Sequence, residues 1–141
     1  MERYRILPHT ADGKFRAFGE TIEEAFANAA LAVASLMWDW TKVGKEASFR
    51  IEVRGRDFEQ LLVKYLEEIP YLLETKYFVL GSVEGLSIIG EPGGYRLSAA
   101  FWGDLDPDRH DIFGDVKAIT YSEMKIEHAC DHWSVQVVVD M

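Results

Sequence analysis

The sequence has few of the residues that build several common kinds of protein site. Cys130 is the only cysteine among 141 residues, which excludes an internal disulfide and a zinc centre made of several cysteines. The chain also has no Gly-rich phosphate loop and no Gly-x-Ser-x-Gly nucleophile elbow, so it offers little for catalysis by those routes. A single cysteine favours a reducing compartment, and we expect a cytoplasmic protein.

Long apolar runs and an excess of basic residues are also missing. No window approaches the roughly 20 apolar residues that a membrane-spanning helix requires, so we expect no membrane segment. The chain carries 24 acidic residues against 15 Lys and Arg, a formal charge of -9 at pH 7. This field repels phosphate backbones, so a cation or a basic protein suits it better than bulk nucleic acid.

One continuous domain over residues 1–141 is expected. No repeat, low-complexity tract or Ser/Pro-rich linker interrupts the chain, and such features mark boundaries in multidomain proteins. The apolar share of 48% allows a chain of this length to bury a substantial core.

Two segments have the features of amphipathic helices. Thr21-Ile22-Glu23-Glu24 is a capping box that opens the first, and apolar residues follow it at three-to-four spacing as far as Trp40. Asp57 offers a second cap, followed by an apolar face from Leu61 to Leu73. Pro70 falls inside this second helix, where its missing amide predicts a kink or a local break.

Alternating apolar and polar residues predict strands elsewhere in the chain. The predicted strands are residues 15–18, 49–54, 77–89 with a break at Gly85, 95–102, 116–121, 125–126 and 133–139. Because a run of strands follows the two helices, we predict an α+β fold. Its two helices would pack on one face of a largely antiparallel sheet.

Oxygen donors concentrate at the end of the last predicted strand. Asp140 leaves the apolar face of that strand because side chains alternate in direction, and the main-chain oxygens of Met141 follow at once. A hard divalent cation relieves such a concentration of negative charge. Asp12, in the polar turn from His9 to Asp12, would complete the site if the two segments meet. Otherwise Asp12 forms an Asx turn and Asp140 ends a solvated strand.

An aspartate-rich segment covers residues 103–115. Its acids are Asp104, Asp106, Asp108, Asp111 and Asp115. Their spacing suggests an EF-hand, but Arg109 occupies the glycine position and predicted strands flank the segment. We therefore interpret it as a solvated loop that could gate a site or meet a basic partner.

Three soft metal ligands lie close together later in the chain. His128, Cys130 and His132 alternate, but a predicted hairpin turn and the lack of a fourth ligand argue against zinc. Lys117 lies in a predicted strand with Ile119 on its own face, where its amine is either desolvated or reaches outward to solvent.

Short motifs occur in a fixed order along nearly the whole chain. They are His9 to Asp12, Gly19-x-Thr21-x-x-Glu24-Ala25-Phe26, Leu61-Leu62 with Glu67-Glu68, Trp102-Gly103, Val116 to Tyr121, and Val139-Asp140-Met141. In this order and spacing they resemble the archease family.

The resemblance implies an SHS2-like strand-helix-strand-strand module and a metal site that uses Asp12, Asp140 and Met141. Calcium is the expected ion, with magnesium and manganese as alternatives, and Lys117 and His9 are expected to have functional roles. The chain would not be an enzyme. It would be an accessory protein that activates an RtcB-type RNA ligase in tRNA splicing, promoting the ligase's guanylylation with GTP and its turnover, and it would meet tRNA only indirectly.

Two other classes of function stay open on the residues alone. One is a stand-alone metal-dependent hydrolase, although no general base is evident beside the acids. The other is a structural module for protein interaction.

Overall fold

The computed structural model describes residues 1–9 and 12–141. Within these residues the chain forms seven β-strands and two α-helices. The strands are β1 (Tyr4–Leu7), β2 (Gly13–Gly19), β3 (Ala47–Gly55), β4 (Val79–Glu91), β5 (Gly94–Asp104), β6 (Ala118–Ala129) and β7 (His132–Asp140). The helices are α1 (Ile22–Ser35) and α2 (Phe58–Lys76).

Both helices begin at their predicted caps. The Glu24 amide donates to Thr21 Oγ1 over 3.1 Å, and the Gln60 amide donates to Asp57 Oδ1 over 2.8 Å. Such caps satisfy amides that have no partner within the helix. Helix α1 ends at Ser35, so the predicted apolar face beyond it falls in a turn and a short 3₁₀ helix at Trp40–Lys42.

Helix α2 continues through Pro70, so the predicted local break is wrong. Ile69 and Leu72 are buried on either side of the proline. Their packing holds the adjacent turns together despite the hydrogen bond that the proline cannot donate.

The strands divide between two sheets, and every described pairing is antiparallel. One sheet has the order β1-β2-β7-β6 and the other has the order β3-β5-β4. Each helix contacts strands of both sheets, α1 chiefly β2 and β4 and α2 chiefly β3 and β6. The predicted α+β class, with two helices packed against antiparallel sheet, is confirmed.

The strand predictions held in most places and differed in three. Strand β1 was not predicted from the sequence. The predicted break at Gly85 is a change of register in β4 between Glu84 and Ser87, with Gly85 at a φ of 62°. The predicted strands 116–121 and 125–126 are parts of one strand, β6, whose pairing to β7 is interrupted between Thr120 and Lys125.

Strand β3, helix α2 and strands β4 and β5 follow one another as strand, helix, strand, strand. The three strands form a sheet of their own, so this run of the chain has the predicted module order. The other sheet takes its strands from the two ends of the chain. The candidate site residues therefore belong to a different sheet from the module.

Aromatic side chains join the two helices to the sheets. Phe26 of α1 stacks on Tyr65 of α2, and Tyr65 meets the edge of Phe101 of β5, with ring centroids 6.1 and 5.6 Å apart. All three are fully buried. Aromatic pairs at this spacing add to the stabilisation from burial alone. In the part of the chain described, neither helix has the length and apolar content that crossing a bilayer would require.

Candidate functional site

The start of β2 and the end of β7 lie side by side. Gly13 pairs with Val139 in the antiparallel register, and continuing that register by one position brings Asp12 opposite Asp140. Side chains at facing positions of antiparallel strands have Cβ atoms about 5 Å apart. The register therefore puts the backbone positions of Asp12 and Asp140, from opposite ends of the sequence, side by side, which is the condition that the metal-site hypothesis required.

Lys117 borders the same strand end from the other side. Strand β6 begins at Ala118, opposite Asp140, and the Lys117 amide donates to the Asp140 carbonyl over 2.8 Å. Lys117 thus lies one residue before β6 and not inside a strand as predicted. Its side chain is exposed, so the amine reaches outward to solvent and is not desolvated.

One carboxylate from β6 contacts residues that precede and follow Asp12 in the sequence. Glu123 accepts from Lys14 Nζ over 3.2 Å, and its second oxygen lies 3.2 Å from His9 Nε2. His9 Nδ1 is 4.0 Å from Asp12 Oδ2, a distance too long for a hydrogen bond. Thr10 and Ala11 of the predicted turn lie outside the described residues. Glu123 therefore contacts the residues on both sides of the Asp12 turn.

Glu123 occupies the interruption in β6. It has a φ of 53°, and its carbonyl accepts from Gln136 Nε2 of β7 over 2.9 Å. The Lys14 ammonium, and then His9, lower the pKa of Glu123 below its ordinary value. Glu123 was not predicted from the sequence. The signal was the polar gap between the predicted strands 116–121 and 125–126, which is where the chain leaves the regular ladder.

The donor set suits a hard divalent cation but does not fill its coordination shell. The carboxylates of Asp12 and Asp140 and the main-chain oxygens of Met141 are oxygen ligands of the type that calcium, magnesium and manganese take. Within residues 1–9 and 12–141, no group of three or more His, Cys, Asp or Glu side chains is arranged to hold a metal. Water or a partner's oxygens would have to supply the remaining ligands.

The side chain of Met141 packs inward from the strand end. A Cβ built on Gly13 would lie 3.0 Å from Met141 Sδ, and one built on Gly114 would lie 3.2 Å from Met141 Cε. Met141 is partly buried. Its apolar contacts with these glycines hold the last residue in place, so any role as a ligand would fall to its main-chain oxygens.

The aspartate-rich segment is more ordered than the predicted solvated loop. Asp104 is only 2% exposed, and its Oδ2 lies 2.7 Å from Nε2 of His110, which is also nearly buried. Asp104 Oδ1 accepts the amide of Asp106 over 3.1 Å. The exposed acids of the segment are Asp108, Asp111 and Asp115. The segment combines a buried contact between Asp104 and His110 with a solvated acidic surface.

The soft-ligand cluster has the predicted hairpin turn. Cys130 lies in the turn between β6 and β7 with a φ of 57° and is exposed. His128 stacks on Trp133 with ring centroids 4.3 Å apart. Because this turn lies between His128 and His132, it interrupts the alternation that would have put the three side chains on one face.

Comparisons with known proteins agree with this architecture. The family model described as the archease protein family matches residues 4–141. The chain belongs to the archease family. The archease of Pyrococcus furiosus is 38% identical over 143 residues, covering all of both chains. That of Methanosarcina mazei is 38% identical over 141 residues, covering 99% of this chain and 97% of the relative.

A solved archease-like structure has the same fold. The solution structure of Methanobacterium thermoautotrophicum protein 1598 superposes with a TM-score of 0.85 and 27% identity, and the match covers all of both chains. The predicted family and the predicted SHS2-like α+β fold are therefore confirmed. Cation binding by Asp12, Asp140 and Met141, and the roles of Lys117 and His9, stay predictions.

Proposed function

We propose that this chain, as an archease, is an accessory protein that activates an RtcB-type RNA ligase in tRNA splicing. It would promote the ligase's guanylylation with GTP and its turnover, while the ligase carries out the chemistry. The observation that carries the proposal is the register of β2 and β7, which brings Asp12 and Asp140 together beside Lys117. Membership of the archease family supports the same reading.

The site would act by balancing charge at the partner's nucleotide pocket. A divalent cation, calcium in the first place and magnesium or manganese as alternatives, would supply positive charge toward phosphate oxygens when bound. Asp12 and Asp140 would hold it, and the Glu123 contacts to His9 and Lys14 would keep the Asp12 turn in position. The exposed Lys117 amine adds a fixed positive charge at the rim.

The overall charge fits an accessory protein that does not hold RNA itself. A formal charge of -9 opposes contact with tRNA phosphates except where the ligase intervenes. GTP would likewise be bound by the ligase. We therefore expect the chain to change the ligase's rate without itself binding either substrate tightly.

The test is ligase guanylylation and multiple-turnover RNA joining, with and without the chain. We expect the intact chain to raise both, and we expect Asp12→Asn and Asp140→Asn to lose most of the effect because each replaces a charged carboxylate with a neutral amide. Asp131→Asn is the matched control, since Asp131 is an exposed acid at the opposite end of the same β6–β7 hairpin. Full stimulation by both site variants would remove the site from the mechanism.

The same assay separates the alternative functions. Phosphoester hydrolysis by the isolated chain, dependent on Asp12 and Asp140, would favour a metal-dependent hydrolase. No change in ligase activity and no response to cations would favour a structural interaction module.

A further inference from the structure

Two large apolar side chains face solvent at the end of the aspartate-rich segment. Residues 104–115 of this segment are called the acidic loop below. Phe113 is 61% exposed and Ile112 is 37% exposed. The protein has a large buried core, but neither of these side chains packs into it. Exposed aromatic residues of this kind are enriched where proteins meet partners.

The backbone that presents Phe113 is fixed on both sides. Its own amide donates to the Met37 carbonyl over 2.9 Å. Before it, His110 is held by the buried Asp104. After it, Gly114 packs so closely on Leu36 that an added Cβ would lie 2.1 Å from the Leu36 carbonyl oxygen.

The fixed backbone reduces the entropy that Phe113 loses on binding. A side chain on a mobile loop loses backbone entropy when it docks, whereas Phe113 is presented on backbone that is already ordered. Aromatic anchors that enter a pocket on the partner contribute a large part of interface energies. The arrangement is that of a preorganised anchor.

The charges around Phe113 indicate that its partner's surface is positively charged. Asp108, Asp111 and Asp115 are exposed on the same loop, while the cationic Arg109 is already paired with Glu46 at 2.6 Å and with Asp106 at 3.2 Å. With a formal charge of -9 on each chain, a second copy would be repelled. A basic surface with an apolar pocket is complementary.

The anchor also lies next to the candidate cation site. Gly114 contacts Met141, and three residues farther along the chain Lys117 bonds to Asp140. A partner that covers Phe113 would therefore bring its surface up to the paired ends of β2 and β7.

We infer that Phe113, with Ile112 beside it, is the anchor that docks this chain onto a basic surface of the ligase bearing an apolar pocket. The inference rests on the proposed function for the identity of the partner. It assigns docking to the acidic loop and leaves the effect on the ligase to Asp12 and Asp140. Substitutions in the two sets of residues should therefore change different measured quantities.

The experiment measures two quantities on the full chain: its dissociation constant for the ligase, by calorimetry, and ligase turnover as the chain is titrated. We expect Phe113→Ala to raise both the dissociation constant and the half-stimulating concentration by about tenfold or more. Maximal turnover should be unchanged at saturation. Asp140→Asn should lower maximal turnover and leave the dissociation constant within about threefold.

Ile89→Ala is the matched control. Ile89 is 48% exposed on β4 and lies toward the opposite end of the β4–β5 hairpin from Asp104. It should leave both quantities unchanged. Without added divalent cation, all variants should keep the melting temperature of the intact chain, since they alter exposed side chains. Replacing Asp108 and Asp111 with Asn should flatten the salt dependence of the dissociation constant.

The other outcomes overturn either the inference or the proposed function. Unchanged binding by Phe113→Ala would exclude the anchor, and a lowered maximum with unchanged binding would assign Phe113 to the ligase's chemistry instead of docking. A self-association that Phe113→Ala abolishes would identify a second copy as the occupant. Binding that depends on Phe113 without any stimulation would refute the proposed function and leave the docking surface standing.

Discussion

The Lys117 amide donates to the Asp140 carbonyl over 2.8 Å, one residue before the regular β6–β7 ladder begins. This bond holds the end of β7 between two neighbours, with Lys117 on one side and the Asp12 turn on the other. The strand end therefore has a defined position, and oxygen ligands at a defined position bind cations more tightly than the same ligands on a frayed end.

Cation binding should stabilise the chain. A ligand that binds only the folded state, at about 100 times its dissociation constant, adds about 2.7 kcal/mol. Calcium should therefore raise the melting temperature of the intact chain by several degrees, measured by differential scanning calorimetry. Asp12→Asn and Asp140→Asn should each weaken calcium binding by about tenfold or more. Asp131→Asn should respond like the intact chain, and an equal calcium response in all four proteins would contradict the site.

The Glu123 contact should be visible in the pH dependence of stability. Lys14, and then His9, hold the pKa of Glu123 below its ordinary value of 4.5. An acid with a lowered pKa in the folded state stabilises the protein above its unfolded-state value, and this contribution is lost as pH falls through the folded-state value. Glu123→Gln should thus lower the melting temperature slightly at pH 6 and converge with the intact chain below pH 4.5. Glu127 is an exposed acid on the same strand. As the control, Glu127→Gln should have the same melting temperature as the intact chain at both pH values.

Trp38 should be one of the most sensitive core positions. Its side chain is fully buried, and its indole Nε1 donates to the Leu80 carbonyl over 2.9 Å. Trp38→Phe removes the hydrogen bond to that carbonyl and opens a cavity, so we expect a loss of about 2–3 kcal/mol in the free energy of unfolding. Urea denaturation measures it. Trp40→Phe is the control, because Trp40 is only partly buried and its partner Tyr4 Oη retains access to solvent.

Gly114 should be required for the shape of the acidic loop. A Cβ there would lie 2.1 Å from the Leu36 carbonyl oxygen, so the loop backbone must shift in Gly114→Ala. We expect a loss of about 1–3 kcal/mol, read by denaturation, together with a raised half-stimulating concentration in the ligase assay. Gly90→Ala is the control, since nothing lies within 4 Å of its added Cβ. Equal behaviour of the two variants would show that the close packing at Gly114 has no consequence.

Local patterns in the sequence identified the elements well. The caps at Thr21 and Asp57 satisfy amides only three residues away, and strand alternation is set by backbone geometry, so both are readable without the rest of the fold. Strand β1 was missed because its exposed and partly exposed residues show little apolar alternation. A kink or a local break at Pro70 was predicted from the backbone alone, and the helix continues through the proline because the residues on both sides of it are packed in the core.

The candidate site divides in the same way. The sequence by itself determined the family, the two helices, the strand that ends in Asp140, and the presence of Asp12 in an early polar turn. Only the tertiary structure decided that β2 and β7 pair in the register that puts the positions of those two acids side by side. It also decided that Glu123 contacts His9 and Lys14. In the aspartate-rich segment, it decided that Asp104 is buried against His110 while Phe113 faces outward. These contacts, apart from the short Asp104–His110 step, join residues that are far apart in the chain. Their pairing depends on sheet order and loop closure, which no local pattern records.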